Sequence, residues 1–231
     1  LGMLYKKLVD LTGYERVLPM NSGAEAVESA IKIARKWAYV VKGVPKYEAE
    51  IIVAAGNFHG RTVTIVSFST EQFYKEAFGP FTPGFKVVTY GDIEEMKTAI
   101  NLNTAAVMLE PIQGENGVVL PPDGYLKAVA DLCKENNVLF IADEIQTGLC
   151  RTGKWFASQH EGVRPDVTVI GKALSAGMYP VSAVLADDVV LGLFQPGEHG
   201  STFGGSPLAA AVAVAALEVL DEEHLAERAT E

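Results

Sequence analysis

The runs Leu139-Phe-Ile-Ala-Asp143-Glu144 and Asp166-Val-Thr-Val-Ile-Gly-Lys172 decide how the rest of the chain reads. Each is a largely apolar stretch of strand length that stops at an ionisable group. Neither alternates apolar with polar side chains, as a strand with one wet face would. A strand that is apolar on both faces is covered on both faces, which is the mark of a parallel sheet between two layers of helix.

The same signature recurs in both directions from these runs. Val17–Met20, Glu50–Ala55, Phe85–Tyr90, Ala105–Leu109, Val138–Ala142, Val167–Ile170 and Val181–Leu185 read as strands. Helical periodicity fills the gaps. A first helix carries Leu4, Leu8, Val9 and Leu11 and ends near Gly13. A second starts at Ser22-Gly-Ala-Glu25, a capping-box sequence, and runs through Ala26, Ala30, Ile33, Ala34 and Trp37 to about Gly43. Further helices are expected over 92–100, 124–136 and 207–220. Strands alternating with helices give an α/β fold of three layers, α/β/α, around a mostly parallel sheet. No linker or repeat divides the chain, so residues 1–231 read as one domain. Ligands of such sheets sit beyond the carboxyl ends of the strands. The polar residues Asn21-Ser22-Gly23, Asn57-Phe58-His59, Glu110, Asp143-Glu144 and Lys172 collect there.

Composition narrows the choice of partners. With 19 basic and 29 acidic residues the net charge is −10. That balance argues against nucleic acid and against an anionic membrane. The longest uncharged run, His199 to Leu217, contains Pro207 and is alanine-rich in its second half, which suits a packed helix and not a membrane span. The two cysteines, Cys133 and Cys150, have no metal-ligand spacing and read as free thiols of a reducing compartment. No metal site is expected, and no secretory signal is visible at the start of the sequence.

Lys172 and Asp143 are the residues with the most chemistry in their setting. A lysine just past a strand is ordinarily a solvated surface residue. Here small residues come after it, Ala173, Ser175, Ala176 and Gly177, and they let a planar ligand approach the backbone. A partly desolvated site would favour its neutral amine. Asp143 could simply cap the next helix, with one acid of the Asp143-Glu144 pair facing inward and the other outward. A strand-end acid and a strand-end lysine are also the two groups pyridoxal 5'-phosphate needs. The lysine forms a Schiff base with its aldehyde, and the acid holds its ring nitrogen protonated.

Other segments fit weakly on their own. Ser22-Gly23-Ala24 opens a helix after a strand, where free N–H groups bind anions; a cap that binds nothing is the plainer reading. Phe58 could stack on a ring or pack in the core. Arg61 offers a carboxylate fork or a surface salt bridge. His59 has no evident partner. Glu110 and Glu115 stand five residues apart as a glycosidase pair could, but nothing else supports sugar chemistry. Gly200-Ser-Thr-Phe-Gly-Gly-Ser206 could contact a phosphate or serve as a turn.

Taken together, Asn21-Ser-Gly-Ala-Glu25, Phe58-His-Gly-Arg-Thr62, Glu110-Pro-Ile-Gln-Gly-Glu115, Asp143-Glu-Ile-Gln-Thr-Gly148, Arg151-Thr-Gly-Lys154, Gly171-Lys-Ala-Leu174 and His199-Gly-Ser-Thr-Phe-Gly-Gly205 resemble the class III, fold-type I pyridoxal-phosphate aminotransferases, in the family's order over nearly the whole chain. Val17-Leu-Pro-Met20, Gly171-Lys-Ala-Leu-Ser and Tyr179-Pro-Val-Ser-Ala-Val184 make it most similar to the ornithine-specific branch, with the acetylornithine branch next. The resemblance implies that Lys172 binds the cofactor and moves the proton, and that Asp143 pairs with the ring nitrogen. It implies that Phe58 stacks on the ring, Ile145 packs beneath it and Gln146 meets its phenolic side. Gly23 and Ala24 would donate N–H groups to the phosphate, with His59, Glu110 and Ser201 also in the cofactor site. Thr202 would reach the cofactor of a neighbouring subunit, implying a homodimer with shared sites. Arg61 would hold a substrate carboxylate. Glu115 would match a switch acid that pairs with an arginine of a C-terminal domain. The implied substrates are an amino acid and a 2-oxo acid, L-ornithine giving its δ-amino group to 2-oxoglutarate. The implied compartment is the cytoplasm, with the mitochondrial matrix as the other place where such enzymes occur. By the same resemblance the chain is expected to be the large cofactor-binding domain alone, without the N-terminal segment and the C-terminal small domain. A domain that folds but only binds partners is the competing expectation.

Overall fold

The apolar runs lie side by side in one seven-stranded sheet. A computed structural model describes residues 1–231. In chain order the elements are α1 (Gly2–Thr12), β1 (Arg16–Met20), α2 (Gly23–Trp37), β2 (Glu50–Ala54), α3 (Val63–Ser67), α4 (Gln72–Lys75), β3 (Phe85–Val88), α5 (Ile93–Ala99), β4 (Thr104–Leu109), α6 (Tyr125–Glu135), β5 (Leu139–Asp143), β6 (Val167–Ile170), β7 (Ser182–Ala186), α7 (Asp188–Leu191), α8 (Pro207–Glu222) and α9 (Leu225–Arg228). A π-helical turn, Ala38–Lys42, extends α2 to Gly43, and short 3-10 turns cover Ala157–Glu161 and Lys172–Ser175. β5 reaches one residue beyond its expected end and takes in Asp143. β6 stops at Ile170, so Lys172 opens the 3-10 turn two residues past the strand.

The strand order is β1-β7-β6-β5-β4-β2-β3. Neighbours from β6 to β3 are parallel, and β7 alone runs against both of its neighbours. Successive residues of each strand point to opposite faces. On one face Ile51, Val53, Ala106, Met108, Ile141, Val169 and Val184 meet Ala26, Val27, Ala30, Ile33, Ala34 and Trp37 of α2. On the other, Ile52, Val107, Leu109 and Phe140 meet Leu126, Val129 and Cys133 of α6 and Met96 of α5. Further along that face, Ala183 and Leu185 meet Leu4 and Leu8 of α1 and Ala209, Ala213 and Leu217 of α8. Each large apolar side chain so buried contributes about 1.5–3 kcal/mol relative to exposure.

The helix ends obey local chemistry. Gly13 closes α1 at φ 70°, returning its N–H to the Val9 carbonyl at 2.9 Å. Ser206 caps α8 through the Ala209 N–H, and Pro207 occupies the first helical position, where its missing N–H costs nothing. No helix is long and apolar enough to cross a membrane. Cys133 and Cys150 are free and buried.

Because β1, β2, β4, β5 and β6 point the same way, their carboxyl ends share one edge. Asn21–Gly23, Asn57–His59, Glu110, Asp143 and Lys172 all lie at or just past that edge.

Candidate active site

A cavity of about 190 Å³ opens at this edge, lined by Gly23, Ala24, Phe58, His59, Gly60, Glu110, Asp143, Ile145, Gln146 and Lys172. Nine of these ten are residues expected at the cofactor site. They come from five separate strand ends, brought together by strand order.

One end of the cavity is the start of α2. Ser22 Oγ accepts the Glu25 N–H at 3.2 Å, while Glu25 Oε2 accepts the N–H groups of Ser22 at 2.8 Å and Asn21 at 2.9 Å. The Glu25 carboxyl is lowered: burial pushes it up, and the hydrogen bonds from Ser22 and Asn21 outweigh that. With Glu25 so engaged, the N–H groups of Gly23 and Ala24 have no acceptor within the helix. Gly23 is required by packing as well. A Cβ there would stand 2.9 Å from Ile145 Cδ1.

The other end is acidic and buried. His59 Nδ1 lies 2.6 Å from Asp143 Oδ2, and both side chains are buried. Asp143 Oδ1 accepts the Ile145 N–H at 3.0 Å. Burial favours neutral His59, but the hydrogen bond and charge of Asp143, with the charge of Glu110, raise its pKa overall. His59 Nε2 is buried without a partner. Glu110 is itself buried, and its Oε1 accepts the Phe58 N–H at 2.8 Å. Burial is the main reason its carboxyl is raised to about 7; the nearby Asp143 raises it further, and His59 and backbone N–H groups pull it back. A single buried Asp–His–Glu cluster thus fixes the acid and, through the Phe58 backbone, the ring beside it.

Three expectations change. Glu144 does not face outward: it is as buried as Asp143, and its carboxylate takes the Thr147 hydroxyl at 2.5 Å and the N–H groups of Ala157 at 3.0 Å and Ser158 at 2.8 Å. Lys172 is not desolvated but exposed, although it lines the cavity. Its backbone is constrained instead, at φ 37°, in the sparsely populated left-handed region. His59, which had no evident partner, has Asp143.

The remaining predicted residues stand outside the cavity. Arg61 makes no ion pair; its guanidinium lies 4.4 Å from the Tyr74 ring centroid and 5.7 Å from that of Phe58, at the rim. Phe58 meets Tyr74 edge-on at 6.1 Å. Glu115 is exposed on the loop after β4, so it does not pair with buried Glu110. Ser201 Oγ accepts from Asn21 Nδ2 at 2.8 Å, and Thr202 is exposed beside it. Neither residue lines the cavity.

These residues fit pyridoxal phosphate. The two free N–H groups at the helix start suit a phosphate, the buried Asp143 suits a cationic ring nitrogen, and Lys172 at the mouth suits an aldehyde. No other part of the chain offers all three.

Known proteins resemble this chain over its whole length. The family model described as aminotransferase class-III matches residues 1–231. The ornithine aminotransferase of an Exiguobacterium species is 62% identical over 231 residues, all of this chain and 58% of that protein. The crystal structure of the ornithine aminotransferase from Toxoplasma gondii superposes with a TM-score of 0.97 at 53% identity, over 98% of this chain and 54% of that one. The acetylornithine aminotransferase from Elizabethkingia anophelis gives a TM-score of 0.86 at 56% identity, over 98% and 56% respectively. The chain therefore spans a little more than half the length of the proteins it matches.

Proposed function

This chain belongs to the class-III aminotransferase family, whose members use pyridoxal phosphate, and from that premise we propose that it is the cofactor-binding part of an L-ornithine δ-aminotransferase. The reaction would move the δ-amino group of ornithine to 2-oxoglutarate, giving glutamate 5-semialdehyde and glutamate. The observation that carries the reading is the convergence of Lys172, the buried Asp143–His59 pair and the free N–H groups of Gly23 and Ala24 on one cavity. The name shared by relatives near 60% identity supports ornithine as the substrate.

When bound, the cofactor supplies an electron sink that stabilises a carbanion at the substrate carbon. The protein's own work is placement and proton control. Gly23 and Ala24 would hold the phosphate, aided by the positive end of α2. Asp143 would hold the ring nitrogen protonated, its carboxylate oriented by His59 and the Ile145 N–H. Phe58 and Ile145 would confine the two ring faces, and Gln146 would meet the phenolic oxygen. Lys172 Nζ would carry the proton between substrate carbon and cofactor carbon. Arg61 at the rim would bind a substrate carboxylate. Thr202, exposed and outside this cavity, would serve the site of a second copy, making the working unit a dimer. Residues 1–231 would form one domain, and the cytoplasm is the compartment this reading favours.

Absorbance in the visible range on adding pyridoxal phosphate tests the cofactor reading. Wild type should show the band and Lys172→Ala should not; no band in wild type would sink it. The acetylornithine reading is kept because a solved structure of that name is 56% identical. Turnover of ornithine against N-acetylornithine by the full-length protein separates the two.

A further inference from the structure

The segment from Phe194 to Ser206, which joins α7 to α8, is tied to the body of the protein by His199. The imidazole Nε2 lies 2.8 Å from Ser29 Oγ and Nδ1 lies 2.9 Å from Lys32 Nζ, both on α2. Phe194 stacks on the ring at 4.8 Å between centroids and 14° between planes. Ser29 Oγ already donates its proton to the Glu25 carbonyl at 2.7 Å, so toward His199 it accepts. The Lys32 ammonium has donors only, so Nδ1 must accept. Together these partners select one state of the ring: neutral, with its proton on Nε2. A protonated ring would set an N–H against an ammonium.

The charged groups around the ring favour the same state. Lys32 faces it from α2. Glu198, next to it in the segment, is engaged by Lys36 and by the Gln195 N–H. Glu25, further up α2, is occupied in its cap. Burial, and then the charge of Lys32, lower the His199 pKa. Two residues on, Ser201 is fixed to Asn21, which in turn binds Glu25. The segment is thus pinned on both sides of Gly200 to the helix whose first N–H groups face the cavity.

We infer that His199 is a positioning residue: as the neutral imidazole it latches the Phe194–Ser206 segment onto α2 and so sets where Thr202 stands, and acid releases it. The significance for cofactor binding rests on the proposed cross-subunit role of Thr202; the latch does not. The folded-state pKa lies below the ordinary value, so the latch is intact above the unfolded value near 6.5 and is lost as pH falls through the folded one.

The test uses the full chain, wild type and His199→Gln, at pH 8 and pH 5. Hydrogen exchange of residues 198–204, corrected for intrinsic rates, should lose roughly tenfold protection in acid in the wild type and stay level in the variant, which cannot titrate. The dissociation constant for pyridoxal phosphate, relative to the variant, should rise severalfold over the same interval. NMR of the wild-type imidazole should show the Nε2–H tautomer at pH 8, which keeps the test open if the variant folds poorly. An Nδ1–H tautomer, unchanged protection in the wild type, or equal acid loss in both proteins would overturn the latch. Loosening in acid with no change in cofactor affinity would uphold the latch and overturn the role given to Thr202.

Discussion

Replacing Glu110 by Gln asks what the buried acid cluster costs the protein. The Glu110 carboxyl is raised from 4.5 to about 7, mainly by burial. The folded protein therefore holds this proton more tightly than the unfolded chain does. Between those two values the folded state carries the extra proton, so stability falls as pH rises through the window and levels off above it. A shift of this size corresponds to about 3 kcal/mol in full, of which about 2–3 kcal/mol is expressed between pH 5 and pH 8. Gln carries no titrating proton and keeps an oxygen for the Phe58 N–H, which Glu110 accepts at 2.8 Å. Urea unfolding of the cofactor-free chain at four pH values gives the difference between the two proteins. That difference should move in favour of the variant by about 2–3 kcal/mol from pH 5 to pH 8. A difference that stays constant with pH would refute the argument, since it would mean that Glu110 titrates alike in the folded and unfolded chains.

Two further substitutions probe the supports of the site. Glu144→Ala strands the Thr147 hydroxyl and the N–H groups of Ala157 and Ser158, which its carboxylate now accepts; denaturant unfolding should show a loss of roughly 3–5 kcal/mol. Ser22→Ala removes half of the capping box at the start of α2; it should cost about 1 kcal/mol of stability and weaken pyridoxal phosphate binding, read by titrating the visible absorbance.

The fold was legible because its strands are apolar on both faces, and the positions of Lys172 and Asp143 are set by where those runs stop. Strand order was not. Ser182–Ala186 reads the same whether it runs with its neighbours or against them, and its reversal shows only in the register of β1 and β6 against it. The His59–Asp143 bond joins residues 84 apart with two whole strands between them in the chain, and no spacing in the sequence encodes it. Glu144 looks like a surface acid because the donors that make its burial tolerable lie past the next loop, in a 3-10 turn with no strong sequence signature. The exposure of Lys172 depends on how distant segments pack around the cavity, which no local pattern reports. The capping box was readable for the opposite reason: both of its bonds are made within four residues.

The pairing of β1 with β7 bears on how the protein is made. Arg16 Nε meets Asp188 Oδ1 across 172 residues of chain, and β1 has no other strand beside it. At ribosomal speeds of about 5–20 residues per second, roughly 10–30 s separate the synthesis of those two partners. Through that interval the helix start that presents Gly23 and Ala24 is attached to a strand with no place in the sheet. The strands carrying Asp143 and Glu110 can pair as soon as they emerge. The acid end of the cavity should therefore be assembled first, and the anion end added last, when β7 arrives.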